Sequence, residues 1–465
     1  MLTLERGYAL LFGALLGLAI WKYGNPVILD QQITAPASSA EWLNEAWPIH
    51  WAGWTLLPVA LAGLFLSLRP PAGPGGTPRS RWLIALPLVW LGWQFVSAVT
   101  TVDPELTRAT LWEFAGCAAC YFLARRLFAR PAIWPWLLPG LFAGLIWCLI
   151  RAVDQHIYEY PASYEALVAG EHCGWTNFTA ASFADLQANH LVIATNNGAL
   201  VANPVFLKKF AQGRVSGTLV YPNALAQLLL LCGPLALSLA GSATRTLKPA
   251  VRGAVMVLSG FLTGAAFYFT GSKLGWLIAL GVIGLYLLRR DWPRTLKIGA
   301  VAVILAGGLA GFGLRFHHYL ANGATSVSAR FDYWRAAVQT TAAEPLTGTG
   351  PGTFQRPYSR LKSPTAEMAR LTHNDYLEQF CDSGLPGGLA YATWIALALF
   401  LAARRQGNTS DPAAFALLVG LAAWFTQGLG EFGLYIPALA WPAFTALGIL
   451  TALPLAKSAT KPVTR

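Results

Sequence analysis

Hydrophobic positions along this chain fall into blocks of about the length that one membrane crossing by an α-helix needs, roughly 20 residues. Such blocks recur at about 7–24, 51–68, 82–100, 109–128, 133–150, 218–240, 253–271, 273–290, 296–314, 385–403, 413–430 and 436–456. The pattern predicts an all-α polytopic membrane protein with about twelve transmembrane helices. Polar residues gather between the blocks, and two of those intervals are long. The first, 151–217, reads as a small cap of short helices and strands. The second, 315–384, contains "SVSARFDYWRAAVQTTAAEP", whose serine N-cap and apolar Phe331, Trp334, Ala337 and Val338 predict an amphipathic helix ended by Pro345. The following "LTGTGPGTF" predicts a turn. It lacks the Gly-Lys-Ser/Thr ending of a nucleotide-phosphate loop.

Composition agrees with that reading, because 55% of the 465 residues are hydrophobic and only 12% are charged. Basic residues sort by side. Alternate connections collect Arg6, Arg69, Arg79, Arg81, Arg125, Arg126, Arg130, Arg245, Lys248, Arg252, Arg289, Arg290, Arg294, Lys297, Arg404 and Arg405, together with the tail residues Lys457, Lys461 and Arg465. The positive-inside rule makes that side cytoplasmic, with both termini there and both long intervals outside. The chain then divides into five N-terminal helices (1–150), a first outer loop (151–217), helices six to nine (218–314), a large outer loop (315–384), and three last helices with a tail (385–465). The N-terminus resembles a signal peptide but lacks a small-residue cleavage site, which predicts a retained first helix. The net charge of +12 is mostly topological. A nucleic-acid partner would need a basic groove on a soluble domain, and the pattern contains none.

Candidate chemistry lies among the polar residues outside. The large loop carries Arg315, Arg330, Arg335, Arg356, Arg360, Lys362 and Arg370, against the usual bias, and Arg214 and Lys273 stand near the same interface. Guanidinium groups at that level suit a lipid-linked phosphate or pyrophosphate, through paired charge-assisted hydrogen bonds. Nearby acids equally allow ordinary loop salt bridges. Of the six cysteines only Cys173 and Cys381 fall outside, where a disulfide between the two loops is one expectation and free thiols the other.

The ordered segments "GRVSGTLVYPNALA", "FTGSKLGWL", "SARFDYWRAAVQTTAAEPLTGTGPGTF", "HNDYLEQFCDSGLPGGL" and "EFGLYIPALAW" resemble the O-antigen ligase and O-antigen polymerase family of bacterial envelope glycosyltransferases, over about residues 210 to 450. The resemblance implies a GT-C-like inner-membrane enzyme whose active site faces the periplasm. It also implies a glycan donor linked to undecaprenyl pyrophosphate and no nucleotide or metal cofactor. Carried over residue by residue, it implies Arg214, Arg330 and His373 as catalytic residues, with Asn374 after the histidine. Lys273 stands where many members have arginine, keeping the charge but losing the paired fork. Trp334 joins Arg214, Arg330, Lys273 and Asn374 as a substrate-site candidate.

The expected reaction is an inverting transfer. The arginines stabilise the departing pyrophosphate, and His373 takes the acceptor's proton or, protonated, binds phosphate. Asp375 and Glu378 are rival bases, and Glu431, in the short turn between the last two helices, either orients an arginine or faces water. His317 and His318 are minor candidates at the interface. A metal held by His373 and Asp375 lacks an evident third ligand. The acceptor is open between a lipid A core (ligase), further repeat units (polymerase) and other glycolipids or polysaccharides. A polyisoprenoid-lipid or anion transporter is the alternative of another class. It would show internal repeats and mid-membrane charges, and the sequence shows neither clearly.

Overall fold

The computed structural model describes residues 2–68, 80–195, 197–321, 325–364, 366–406 and 411–453. Arg69, Arg79, Lys457, Lys461 and Arg465, used above to orient the chain, lie outside the described residues. About 76% of the structure is helical. In order, the helices are α1 (Leu2–Lys22), α2 (Ser39–Asn44), α3 (His50–Ser67), α4 (Trp82–Ala98), α5 (Pro104–Leu127) and α6 (Leu138–Asp154). A small cap follows with α7 (Tyr160–His172), α8 (Ala180–Ala188), the antiparallel pair β1 (Val192–Ala194) and β2 (Leu200–Ala202), and α9 (Pro204–Gln212). Then come α10 (Pro222–Ala243), α11 (Pro249–Thr270), α12 (Lys273–Leu288), α13 (Arg294–Ala321), α14 (Thr325–Ala343), α15 (Gln355–Leu361), α16 (Asp375–Gln406), α17 (Pro412–Gln427) and α18 (Pro437–Ala452).

A helix occupies each of the twelve predicted blocks, but their suitability as membrane spans differs. Among the described residues seven helical segments are long and apolar enough to cross a bilayer, and α4, α12, α17 and α18 are apolar but shorter. Helix α5 carries Glu105, Arg108, Glu113, Arg125 and Arg126 along its length. The protein is therefore a multi-pass helical membrane protein. Helix α18 is buried from Pro437 to Ala452 and forms the centre of the bundle, whereas the apolar windows of α11 and α13 have no buried residues and form its periphery. An all-round apolar helix is stable in either place.

Helices α1 and α6 touch through matching glycine pairs. A Cβ on Gly17 would lie 2.1 Å from the Gly140 carbonyl oxygen, and one on Gly144 would lie 2.3 Å from that of Gly17. Small residues four apart allow such backbone contact between apolar helices.

The amphipathic helix of the second outer loop is α14, and the glycine-rich turn follows it as predicted. Its Gly348, Gly350 and Gly352 have φ of 62°, 106° and 75°, which favours glycine. Cβ atoms on Gly350 and Gly352 would each stand 2.1 Å from a threonine hydroxyl, of Thr101 and Thr110 respectively, so the turn is wedged against α5. Helical structure extends into the large loop from both sides. Helix α13 runs on to Ala321, and α16 starts at Asp375 rather than 385. The glycines of "DSGLPGG" do not begin the helix; they kink it at Ser383 and Gly384. Cys173 and Cys381 are both free, because Cys381 is buried within α16 and Cys173 is exposed at the end of α7.

Candidate active site

Polar residues from α10, α14, the segment before α16 and the connection between α17 and α18 converge on one carboxylate. Glu431 lies in the short connection between α17 and α18 and is buried. Its Oε1 accepts hydrogen bonds from Arg330 Nη2 at 2.6 Å and Asn223 Nδ2 at 2.7 Å, and its Oε2 accepts one from Tyr221 OH at 2.6 Å. The same Oε2 faces His373 Nδ1 at 3.5 Å. A buried carboxylate needs such a complete set of partners to remain charged. Burial alone would raise its pKa; the contact with His373 and the charge of Arg330 outweigh this and hold Glu431 below the usual carboxylate range.

Arg214 enters the cluster through Asn223. Its Nη2 donates to Asn223 Oδ1 at 2.9 Å while Nε donates to the Thr270 carbonyl at 2.8 Å. Gly213, in the left-handed region with φ 56°, ends α9 and lets the chain turn so that Arg214 points back over the bundle. Burial lowers its pKa, Glu431 opposes that shift, and Arg315 and Arg330 add to it. Arg214 Nη1 and the Nε and Nη1 of Arg330 have no hydrogen-bond partner among the described residues. Two oriented guanidinium groups with spare donors can bind an anion with several oxygens. Lys273 adds charge beside them, its Nζ lying 3.9 Å from the centre of the Tyr319 ring. Arg315, over Tyr268 at 4.3 Å, is a further cation of this region.

His373 has φ 53°, an uncommon conformation for a residue with a side chain. Its neighbours hold it there. Thr372 Oγ1 donates to the Asn374 carbonyl at 2.9 Å, and the Thr372 N–H donates to Glu378 Oε2 at 2.5 Å. Asn374 Oδ1 accepts from the N–H groups of Tyr376 and Leu377, each at 3.0 Å, and so caps α16. The imidazole is enclosed by Phe432 (centroids 4.7 Å apart), Tyr333 (6.0 Å) and Tyr221 (6.3 Å). Its side chain keeps 30% exposure, and with Nδ1 turned to Glu431 the free nitrogen is Nε2, which has no protein partner among the described residues.

The structure thus brings Arg214, Arg330, His373 and Glu431 together and gives the other candidates different surroundings. Asn374 is occupied as a helix cap. Asp375 is buried; its Oδ1 accepts from Leu434 N–H at 3.1 Å, and its own N–H donates to the carbonyls of Gly428 at 2.7 Å and Glu431 at 3.1 Å. It is a strut for the Glu431 turn. Glu378 is buried beneath Thr372. Both acids are almost wholly shielded from solvent. Trp334 packs edge-on against Phe331 at 5.5 Å, and His317 and His318 stack on each other at 4.0 Å, exposed beyond the kink at Phe316 in α13. Among the described residues no three His, Cys, Asp or Glu side chains stand close enough to share a metal ion. Sequence reasoning missed Tyr221 and Asn223, although both lie in the quoted "LVYPNALA". The available signal was a polar residue in the first turn of an otherwise apolar helix.

Residues 254–392 match the family model described as O-antigen ligase. No curated protein matches the chain. The matched segment contains Lys273, Arg330 and His373. Arg214, Tyr221 and Asn223 precede it and Glu431 follows it; the fold brings them back.

Proposed function

We propose, for a chain that carries an O-antigen ligase-type domain over residues 254–392, that it transfers a glycan from undecaprenyl pyrophosphate to an acceptor hydroxyl at the periplasmic face of the bacterial inner membrane. The family match supports glycosyl transfer of the ligase or polymerase type. The finer reading, ligation to a lipid A core acceptor by an inverting reaction without metal or nucleotide, follows the family resemblance, and the placing of the transfer chemistry at this site is supported by one observation. A single buried carboxylate, Glu431, holds Arg330 directly, Arg214 through Asn223, and the Nδ1 side of His373.

The acceptor oxygen attacks the anomeric carbon, and the bond from that carbon to the pyrophosphate oxygen breaks on the opposite face. The leaving pyrophosphate keeps the bonding electrons. Its added charge is met by the spare N–H donors of Arg214 and Arg330, already oriented before the reaction. The acceptor proton passes to His373 Nε2, and Glu431 stabilises the imidazolium that results. That arrangement assigns Asn223 and Tyr221 to positioning.

The test is reconstitution of the purified protein with a lipid-pyrophosphate glycan and separate candidate acceptors, with and without chelator. Transfer that survives chelation is expected. Transfer that chelator abolishes and added divalent metal restores would overturn the metal-free reading. Transfer to repeat units alone would reassign the protein as a polymerase.

A further inference from the structure

Arg214 sits in a short segment, Gly213 to Gly217, that belongs to no helix or strand. The glycines at its two ends are left-handed, with φ of 56° and 63°, and the chain turns at each. Its backbone is held from two sides. On one side the Val215 N–H donates to the Phe269 carbonyl at 3.1 Å, near the end of α11 and beside the Thr270 carbonyl that accepts from Arg214 Nε. On the other side stands a single π-helical turn, Gln155–Glu159, between α6 and α7.

The sequence accounts for that turn. Pro161 has no N–H to close an α-helical bond onto the Ile157 carbonyl, and in an α-helix its ring would clash there, so the helix widens just before it. Gln155 and His156, neighbours on the widened turn, both reach the Arg214 segment. Gln155 Oε1 accepts from the N–H groups of Ser216 at 3.0 Å and Gly217 at 2.8 Å, and its Nε2 donates to the Gly217 carbonyl at 3.0 Å. His156 Nδ1 donates to the Gly213 carbonyl at 3.2 Å, and its ring centre lies 4.0 Å from that of Phe269. Gln155 is buried, and a buried amide is costly unless its polar atoms are bonded. Here they bond the backbone just after Arg214, while His156 bonds the backbone just before it. Single π-turns within helices are frequent at functional sites.

We propose that Gln155 and His156 are positioning residues for the transfer: the π-turn fixes residues 213–217 and so aims the Arg214 guanidinium at the leaving pyrophosphate. The inference deepens the transferase reading above and rests on it. Both residues act through Arg214 and not on the substrate. Misplacing such a group by about 1 Å lowers a rate by up to about 100-fold.

The experiment is a double-mutant cycle on the full-length protein in proteoliposomes, with a lipid-pyrophosphate glycan as donor. It reads donor affinity, single-turnover transfer and melting temperature. Gln155→Met keeps the length of the side chain, removes its three hydrogen bonds, and lowers transfer about 10- to 100-fold. In the Arg214→Ala background the same substitution changes transfer and donor affinity by less than about twofold, because the group it positions is gone. A glutamine that only supports the fold would lower transfer by the same factor in both backgrounds, and that result overturns the inference. His156 keeps the test decisive if Gln155→Met does not fold. His156→Phe retains a ring against Phe269 but loses the bond to Gly213, lowering transfer about 2- to 10-fold. His156→Asn, whose Nδ2 donates in place of Nδ1, restores the wild-type rate; equal rates for these two variants overturn the inference. If Arg214→Ala is impaired while Gln155→Met and His156→Phe are not, the inference falls and the transferase reading stands. If Arg214→Ala transfers as the wild type does, the catalytic role of Arg214 falls and the inference with it.

Discussion

Replacing Glu431 tests the hub of the site, and the structure allows the effect to be sized. In Glu431→Ala the hydrogen bonds from Arg330, Asn223 and Tyr221 all disappear, and Arg330, only 17% exposed, keeps its charge without a partner. Breaking a buried ion pair from one side costs about 3–5 kcal/mol. Some solvent reaches Arg330, so a loss near the lower end, about 3 kcal/mol, is expected as a lower melting temperature in detergent. Glu431→Gln is the sharper probe. Its amide oxygen still accepts from Arg330 and Asn223, and Tyr221 can turn its hydroxyl to accept from the amide N–H. What is lost is the negative charge opposite His373 Nδ1. A hydrogen bond to a charged group contributes about 1.5–3 kcal/mol, so withdrawing that support from an imidazolium formed in the transition state predicts a fall in turnover of about 10- to 150-fold. The assay is transfer from a lipid-pyrophosphate glycan in proteoliposomes, with donor binding measured in parallel. Wild-type turnover by a folded Glu431→Gln protein would refute the proposed role of Glu431.

Other outcomes follow from the same geometry. Arg214→Ala and Arg330→Ala each weaken donor binding and lower transfer, and Arg330→Lys fails to restore it because one ammonium cannot serve Glu431 and the donor with a planar fork; unchanged donor affinity in either alanine variant would remove that arginine from the site. Gly17→Leu forces apart the backbones of α1 and α6 and destabilises the protein by about 1–3 kcal/mol or more, read as a lower melting temperature; an unchanged melting temperature would count against the close contact. Because the folded pKa of Glu431 is depressed, its contribution to stability is present above the ordinary value of 4.5 and is lost as pH falls through the lower folded value. Thermal stability should therefore drop below about pH 4.5 in the wild type, and Glu431→Gln should remove that part of the acid dependence; identical acid profiles would contradict the assignment.

Much of this architecture could be read in advance because the bilayer imposes a simple rule on composition. Each block of apolar residues became a helix, and the proline-terminated α14 and the glycine turn after it follow from local chemistry alone. What composition could not convey was depth. Helix α5 buries Glu113 and Arg125 against protein while Glu105, Arg108 and Arg126 are exposed towards its two ends, and α18, shorter than a typical span, is buried throughout. The start of α16 was misplaced because the cue used was hydropathy. The actual cue was Asn374, whose side chain caps a polar first turn that contains Asp375 and Glu378. Asp375 and Glu378, rival bases in the sequence, accept hydrogen bonds from the backbone N–H groups of Leu434 and Thr372. The importance of Glu431 was underweighted for a related reason. A lone acid between two apolar helices has no visible partner until Asn223, 208 residues away in sequence, and Arg330, 101 residues away, are brought to it by the fold.

The most direct measurement of the central claim is single-turnover transfer by His373→Ala in proteoliposomes, with lipid-pyrophosphate glycan donor bound before the acceptor is added. If Arg214 and Arg330 hold the pyrophosphate and His373 takes the acceptor proton, the variant binds donor as the wild type does and transfers at least 100-fold more slowly, in keeping with the roughly 10²–10⁴-fold contribution of a positioned general base. Transfer by His373→Ala at the wild-type rate would contradict the account.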